Sequence, residues 1–152
     1  MQVKDAIERA EKSDEVKKLH GYFLCSCFAS IKDKDEKVKE WTLLFYNHEK
    51  KVVLDCFVNE KFVTIGEETP PISEVEKPDL SGLKITVDEA LEKVVKNFSK
   101  STINILITLH SKKSLMWTIN LITKDMMATT FDIDANSGEI VREETTSLIS
   151  QY

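Results

Sequence analysis

Thr86-Val87-Asp88-Glu89-Ala90-Leu91 is the stretch on which the fold turns. Thr86 and Glu89 make a capping box: the threonine hydroxyl can accept a free N–H at a helix start, and the glutamate can reach back to the N–H of the cap itself. A helix begins here, and Ala90, Leu91, Val94, Val95 and Phe98 follow at helical spacing as one apolar stripe between Glu92, Lys93 and Lys96. Near the start of the chain Val3, Ala6, Ile7, Ala10, Val16 and Leu19 form a comparable stripe with no capping box before it. Val3-Lys4-Asp5-Ala6-Ile7 thus matches Val87-Asp88-Glu89-Ala90-Leu91 at an offset of 84.

The order of elements after each stripe also repeats. Tyr22 to Ile31 and Ile103 to Leu109 are apolar and β-branched runs of strand length. Trp41-Thr42-Leu43-Leu44-Phe45 then matches Trp117-Thr118-Ile119-Asn120-Leu121 at an offset of 76, the difference falling in the charged insertion Lys32 to Glu40. Alternation along a strand puts Trp41, Leu43 and Phe45 on one face, and Trp117, Ile119 and Leu121 on another, and those faces should meet the helices. Val52 to Val58 with Phe62 to Ile65, and Thr129 to Ala135 with Ile140 to Glu144, close each set, Asn136-Ser137-Gly138 supplying the φ > 0 position of a turn. Between the sets, Gly66 to Leu83 holds all three prolines, Pro70, Pro71 and Pro78, along with Gly66, Gly82 and the solvating Glu67, Glu68 and Glu74, and reads as a connector. The expected architecture is α+β, two tandem helix-plus-antiparallel-sheet repeats at 1–68 and 84–152 joined by a Pro-rich linker at 69–83. Halves of this size are marginal alone, so the two sheets should share a core or a continuous surface.

Composition narrows the function classes. The chain has 152 residues, 41% hydrophobic and 31% charged, with a formal net charge of -5, which is globular and excludes disordered, collagenous and disulfide-scaffold classes. No apolar run approaches the roughly 20 residues that span a bilayer, and Met1-Gln2-Val3-Lys4-Asp5 carries charge where a signal peptide is apolar, so the expectation is a cytoplasmic chain without a membrane partner. Only two arginines, Arg9 and Arg142, stand in an acidic chain, which argues against nucleic acid as a partner.

Three segments of the second half carry a family likeness: Ile85-Thr86-Val87-Asp88-Glu89-Ala90-Leu91, Trp117-Thr118-Ile119, and Phe131-Asp132-Ile133-Asp134-Ala135-Asn136-Ser137-Gly138-Glu139-Ile140-Val141. Their order resembles a PepSY-type domain, in which a helix entered through I-[ST]-x-x-E-A precedes a W-x-I/V strand and an ending [VI]-D-A-x-[ST]-G-E-[IV]. The first half looks like a degenerate copy: it keeps the stripe and Trp41, but Cys56-Phe57-Val58-Asn59-Glu60-Lys61-Phe62 lacks the Asp-Ala and the glycine. The resemblance implies a cystatin-like α+β fold with a helix across an antiparallel sheet. It also implies an inhibitory or chaperone-like role toward peptidases, and no catalytic residues. Fold analogy does not settle function.

The chemistry-bearing residues read blandly. Asp132 to Glu143 places oxygens at calcium-loop positions 1, 3, 5 and 12, but position 6 is Ser137 with Gly138 one late, so Asp132 and Asp134 are read as solvent-facing residues of a strand alternating with buried Phe131 and Ile133. Cys25 and Cys27, two apart, should face the same way, with Cys56 on a neighbouring strand. An odd number of thiols without zinc spacing reads as reduced core packing. His20, His48 and His110 should be exposed at element ends, unaccompanied by a nucleophile motif. No phosphate loop is available from four separated glycines, and the mixed charges Glu8, Glu11, Lys12, Asp14, Glu15, Lys17 and Lys18 read as a solvated helix face. With no catalytic or metal residue assigned and no cofactor implied, the expectation is a non-catalytic protein-binding module, a peptidase inhibitor or modulator, using a sheet face, an edge strand such as Thr129 to Ala135, or the linker. The alternatives are a small-molecule carrier or enzyme with its pocket between helix and sheet, and a structural homo-oligomer.

Overall fold

The structure is a computed structural model that describes residues 1–72 and 74–149. Ser73 of the linker and residues 150–152 at the end of the expected second repeat lie outside the described residues. Among the described residues eight strands form one antiparallel sheet: β1 (Tyr22–Ile31), β2 (Trp41–Asn47), β3 (Val52–Val58), β4 (Val63–Thr69), β5 (Thr102–Lys112), β6 (Ser114–Thr123), β7 (Met127–Asp134) and β8 (Ile140–Ser147). Their order is β4-β3-β2-β1-β5-β6-β7-β8, so each half contributes four neighbouring strands and the halves join where β1 pairs with β5. The sheet is thus continuous across the linker, as the small size of each half requires.

The helices α1 (Val3–Lys12), α2 (Asp14–Lys17) and α3 (Val87–Lys96) cover one face. α3 starts at the capping box, Glu89 N donating to Thr86 Oγ1 at 3.2 Å and Thr86 N to Glu89 Oε1 at 3.4 Å. α1 has no side-chain cap at Gln2, and the first stripe does not run unbroken to Leu19: the backbone extends at Ser13, whose hydroxyl accepts from Val16 N and starts α2. Val3, Ala6, Ile7 and Ala10 of α1, and Val87, Ala90, Leu91 and Val94 of α3, are all buried. They pack on Trp41, Leu43 and Phe45 of β2 and Trp117, Ile119 and Leu121 of β6, the faces that alternation assigned to the helices.

The two tryptophans are the largest fully buried side chains, and their rings lie 6.0 Å apart, so one core serves both halves. Neither indole N–H is orphaned: Trp41 Nε1 donates to Met1 O and Trp117 Nε1 to Ile85 O, both at 2.9 Å. Each bond ties the backbone that leads into a helix to the sheet beneath it. Lys32 to Glu40 is the β1–β2 connection, anchored by the buried Val38. In the second half β5 turns directly into β6 through Lys113 at φ 69°.

Candidate functional site

The segments that carry the family resemblance are structural in this fold. Ala135 O accepts from Lys84 N and Ile85 N, both at 2.9 Å, and Lys93 Nζ donates to Gly138 O at 2.6 Å. Asp134 Oδ1 closes the β7–β8 turn by accepting from Asn136 N and Ser137 N at 2.8 and 2.9 Å, and these bonds hold its carboxyl below the ordinary value. Gly138 sits at φ +78° with Ile85 and Lys93 against its α-carbon, where a side chain would collide. The PepSY-like helix entry and hairpin ending are therefore the two sides of one joint.

The face of the sheet away from the helices is where polar chemistry collects. A directly paired row runs across it: Thr64, Phe57, Thr42, Phe28, Thr108, Thr118, Asp132 and Arg142. On the second half this row is hydrogen-bonded. Thr118 Oγ1 donates to Asp132 Oδ1 at 2.6 Å, Arg142 Nε donates to Asp132 Oδ2 at 2.6 Å, and Arg142 Nη1 reaches Glu144 at 2.7 Å. His110, one step off the row, lies 2.8 Å by Nε2 from the same threonine oxygen. Since that hydroxyl gives its proton to Asp132, Nε2 carries the hydrogen and Nδ1 is left as an acceptor.

These contacts correct two expectations. Asp132 is not solvent-facing: it is 5% exposed beneath Arg142. Burial pushes its carboxyl upward, but the Thr118 bond and the bond and charge of Arg142 outweigh this and leave it below the ordinary value. His110 is not an exposed residue at an element end but half-buried within β5. Burial, then the Lys112 charge, lowers its pKa against the opposing pull of Asp132 and Glu76, which keeps the ring neutral near pH 7. His20 and His48 are exposed, as expected.

The thiols divide as well. Cys27 and Cys56 lie in the helix-side core, where burial raises both pKa values, that of Cys56 to about 11. A bulge between Leu24 and Ser26 breaks the alternation, so Cys25 does not share the face of Cys27 but lines a cleft on the open side. All three are free, and among the described residues no His, Cys, Asp and Glu side chains assemble as a metal site.

That cleft, of about 480 Å³, lies between the sheet and the linker, which crosses over it. Its floor includes Cys25, Ser26, Leu44, Val53, Thr108 and His110, and Pro70, Pro71 and Val75 roof it. Asp55, paired with Leu44, belongs to the floor, and Glu74 and Glu76 come from the linker side. By contrast, the space at the helix starts beside Trp117 is about 100 Å³. Thr129 to Ala135, which could add a partner strand only if unpaired, is flanked on both sides, by β6 and β8; the edges are β4 and β8. β8 presents Arg142, Glu143 and Glu144, a charged edge of the kind that resists adding another strand. Sequence reasoning missed the cleft because its walls meet only after the linker folds over the sheet.

Fold and site together define an α+β module with one helix-covered and one open sheet face. The family model described as "Peptidase propeptide and YPEB domain", PepSY, matches residues 84–144, and this part of the chain is a PepSY-like domain. Among solved structures, a protein from Clostridium difficile 630 described as a "putative lipoprotein" is similar over 96% of this chain and 93% of that one, with a TM-score of 0.64 at 14% identity. At that identity the likeness is one of fold. No curated protein matches the chain.

Proposed function

We propose that this chain is a non-catalytic module that binds an extended segment of a protein partner, with a peptidase as the favoured partner class. The observation that carries the reading is the cleft of about 480 Å³ between linker and open sheet face, in the size range of ligand sites. Beside the cleft, His110 Nε2 is engaged by Thr118, which is itself bonded to Asp132, and burial raises the pKa of the Cys25 thiol that shares the cleft, the opposite of an activated nucleophile. The description of the PepSY family as a peptidase propeptide domain supports the choice of partner. We read the helices α1 and α3, matched at offset 84, and the strands β2 and β6, matched at offset 76, as copies of one unit, with repeats at 1–68 and 84–152 and the linker at 69–83. On this reading the copies build the shared platform and the linker makes the site.

The test compares the tagged chain with Thr108→Trp, which fills the cleft from its floor, and Lys96→Ala on the helix side, in capture from lysate of the native source. A single stoichiometric partner kept by Lys96→Ala and lost by Thr108→Trp is the expected result. A partner captured equally by the filled cleft overturns it, as does substrate turnover that His110→Gln abolishes.

A further inference from the structure

The charges around the cleft are one-sided. Asp55, Glu74 and Glu76 are among its lining residues, and no lysine or arginine is. Elsewhere seven acids pair with a lysine or arginine: Glu8 with Lys12, Glu68 with Lys50, Asp88 with Lys37, Glu92 with Lys96, Asp125 with Lys100, and Asp132 and Glu144 with Arg142. Among the described residues none of the three cleft acids has such a pair. His110 does not supply the missing charge, because burial and Lys112 keep it neutral. Asp55 stands on the floor itself, paired with Leu44, and the floor beside it is apolar at Leu44 and Val53, a surface suited to the methylene stem of a long basic side chain whose head stays among carboxylates.

We propose that the segment received by this cleft carries a basic side chain, a lysine ammonium or an arginine guanidinium, seated among Asp55, Glu74 and Glu76 over Leu44 and Val53; this rests on the binding-module reading above. Negative walls attract a cation and reject an acidic segment, so the charge sets specificity as well as association rate.

Three end-blocked pentapeptides that differ only in a central arginine, glutamine or glutamate are titrated into the full ¹⁵N-labelled chain, and the amide signals of Ser26, Thr108 and His110 are followed. The arginine peptide shifts these signals and binds about five- to ten-fold tighter than the glutamine peptide, the advantage that two solvent-accessible ion pairs supply. Raising the salt concentration shrinks that advantage, and the exposed double variant Glu74→Gln with Glu76→Gln removes most of it. Glutamine and glutamate peptides that shift the same signals as strongly overturn the charge inference and leave the module reading standing. Silence of the cleft signals toward all three peptides overturns both.

Discussion

On the helix side the two halves bury the same kinds of residue at the same steps: Val3, Ala6, Ile7 and Ala10 under α1, and Val87, Ala90, Leu91 and Val94 under α3. On the open side they differ. Where the second half runs Thr118, Asp132 and Arg142 as a bonded chain, the first half runs Thr42, Phe57 and Thr64, with Phe57 37% exposed. The turns keep a common device despite different sequences, since Asn59 Oδ1 accepts from Lys61 N and Phe62 N just as Asp134 does from its own turn. Packing between helix and sheet constrains both halves alike, because any change there opens a cavity in the common core. The open face is free to diverge, and that freedom lets one surface become a site.

The sharpest way to break the likeness is at its centre. Trp41→Ala and Trp117→Ala each cost about 3–5 kcal/mol, as truncating a fully buried aromatic does. Urea denaturation measures both. A Trp41→Ala cost less than half that of Trp117→Ala would mean that the halves do not share one core. Where the alanine variants are too unstable to measure, Trp41→Phe and Trp117→Phe keep the comparison, each losing the indole bond to the backbone ahead of its helix.

The difference on the open face predicts a second, smaller asymmetry. Arg142→Ala leaves a buried carboxylate with Thr118 alone and costs about 1–3 kcal/mol, near the lower end because the guanidinium is partly solvated. Its first-half counterpart, Thr64→Ala on an exposed edge, stays within about 0.5 kcal/mol. The pH dependence has a definite sign. Asp132 titrates below its ordinary value of 3.8 in the fold, so its stabilisation is complete above that value and is lost as the pH falls through the folded pKa. Denaturation midpoints of the native chain and of Asp132→Asn should therefore converge on acidification. A gap that stays constant from pH 7 to 3 would show that the carboxylate charge contributes nothing.

Gly138→Ala comes next, at about 1–2 kcal/mol, since φ +78° strains any residue with a β-carbon and that carbon would meet Ile85 at 3.1 Å. The loss should be read by thermal unfolding together with hydrogen exchange at Lys84 and Ile85, whose N–H groups are held by Ala135 O in the same joint. Faster exchange at those two amides alone would place the damage at the joint between α3 and the β7–β8 turn.

Much of this was legible in the sequence, and the rest was not for a physical reason. β1 and β3 run from Tyr22 to Ile31 and from Val52 to Val58, as the apolar runs indicated, and the capping box marked the start of α3, because these signals are local. The buried faces of Trp41 and Trp117 followed from period-two alternation. The bulge at Cys25 escaped that logic, because one extra residue re-aims a side chain without altering composition. Asp132 reads as solvated until Arg142 is brought opposite it on β8, and His110 reads as a turn residue until β5 is seen to continue to Lys112. The cleft depends on the linker's route across the sheet, which no periodicity encodes.

The smallest predicted effect tests whether the helix starts differ as their sequences do. Thr86→Ala removes the hydroxyl that accepts from Glu89 N, leaving only the backbone N–H of residue 86 to Glu89, and should cost about 1 kcal/mol. Gln2 accepts no backbone N–H, and its amide only donates to Asp88 at 2.7 Å on the surface, so Gln2→Ala should cost a few tenths of that, roughly 0.3 kcal/mol. α1 instead is fixed from below, by Trp41 Nε1 on Met1 O and by the Met1 amino group on Val38 O. Equal losses in the two variants would mean that the capping box adds nothing beyond the tryptophan anchor both helices possess. A larger loss for Thr86→Ala, read as the difference between two denaturation midpoints, would show that the second half holds its helix by local sequence and the first by tertiary contact.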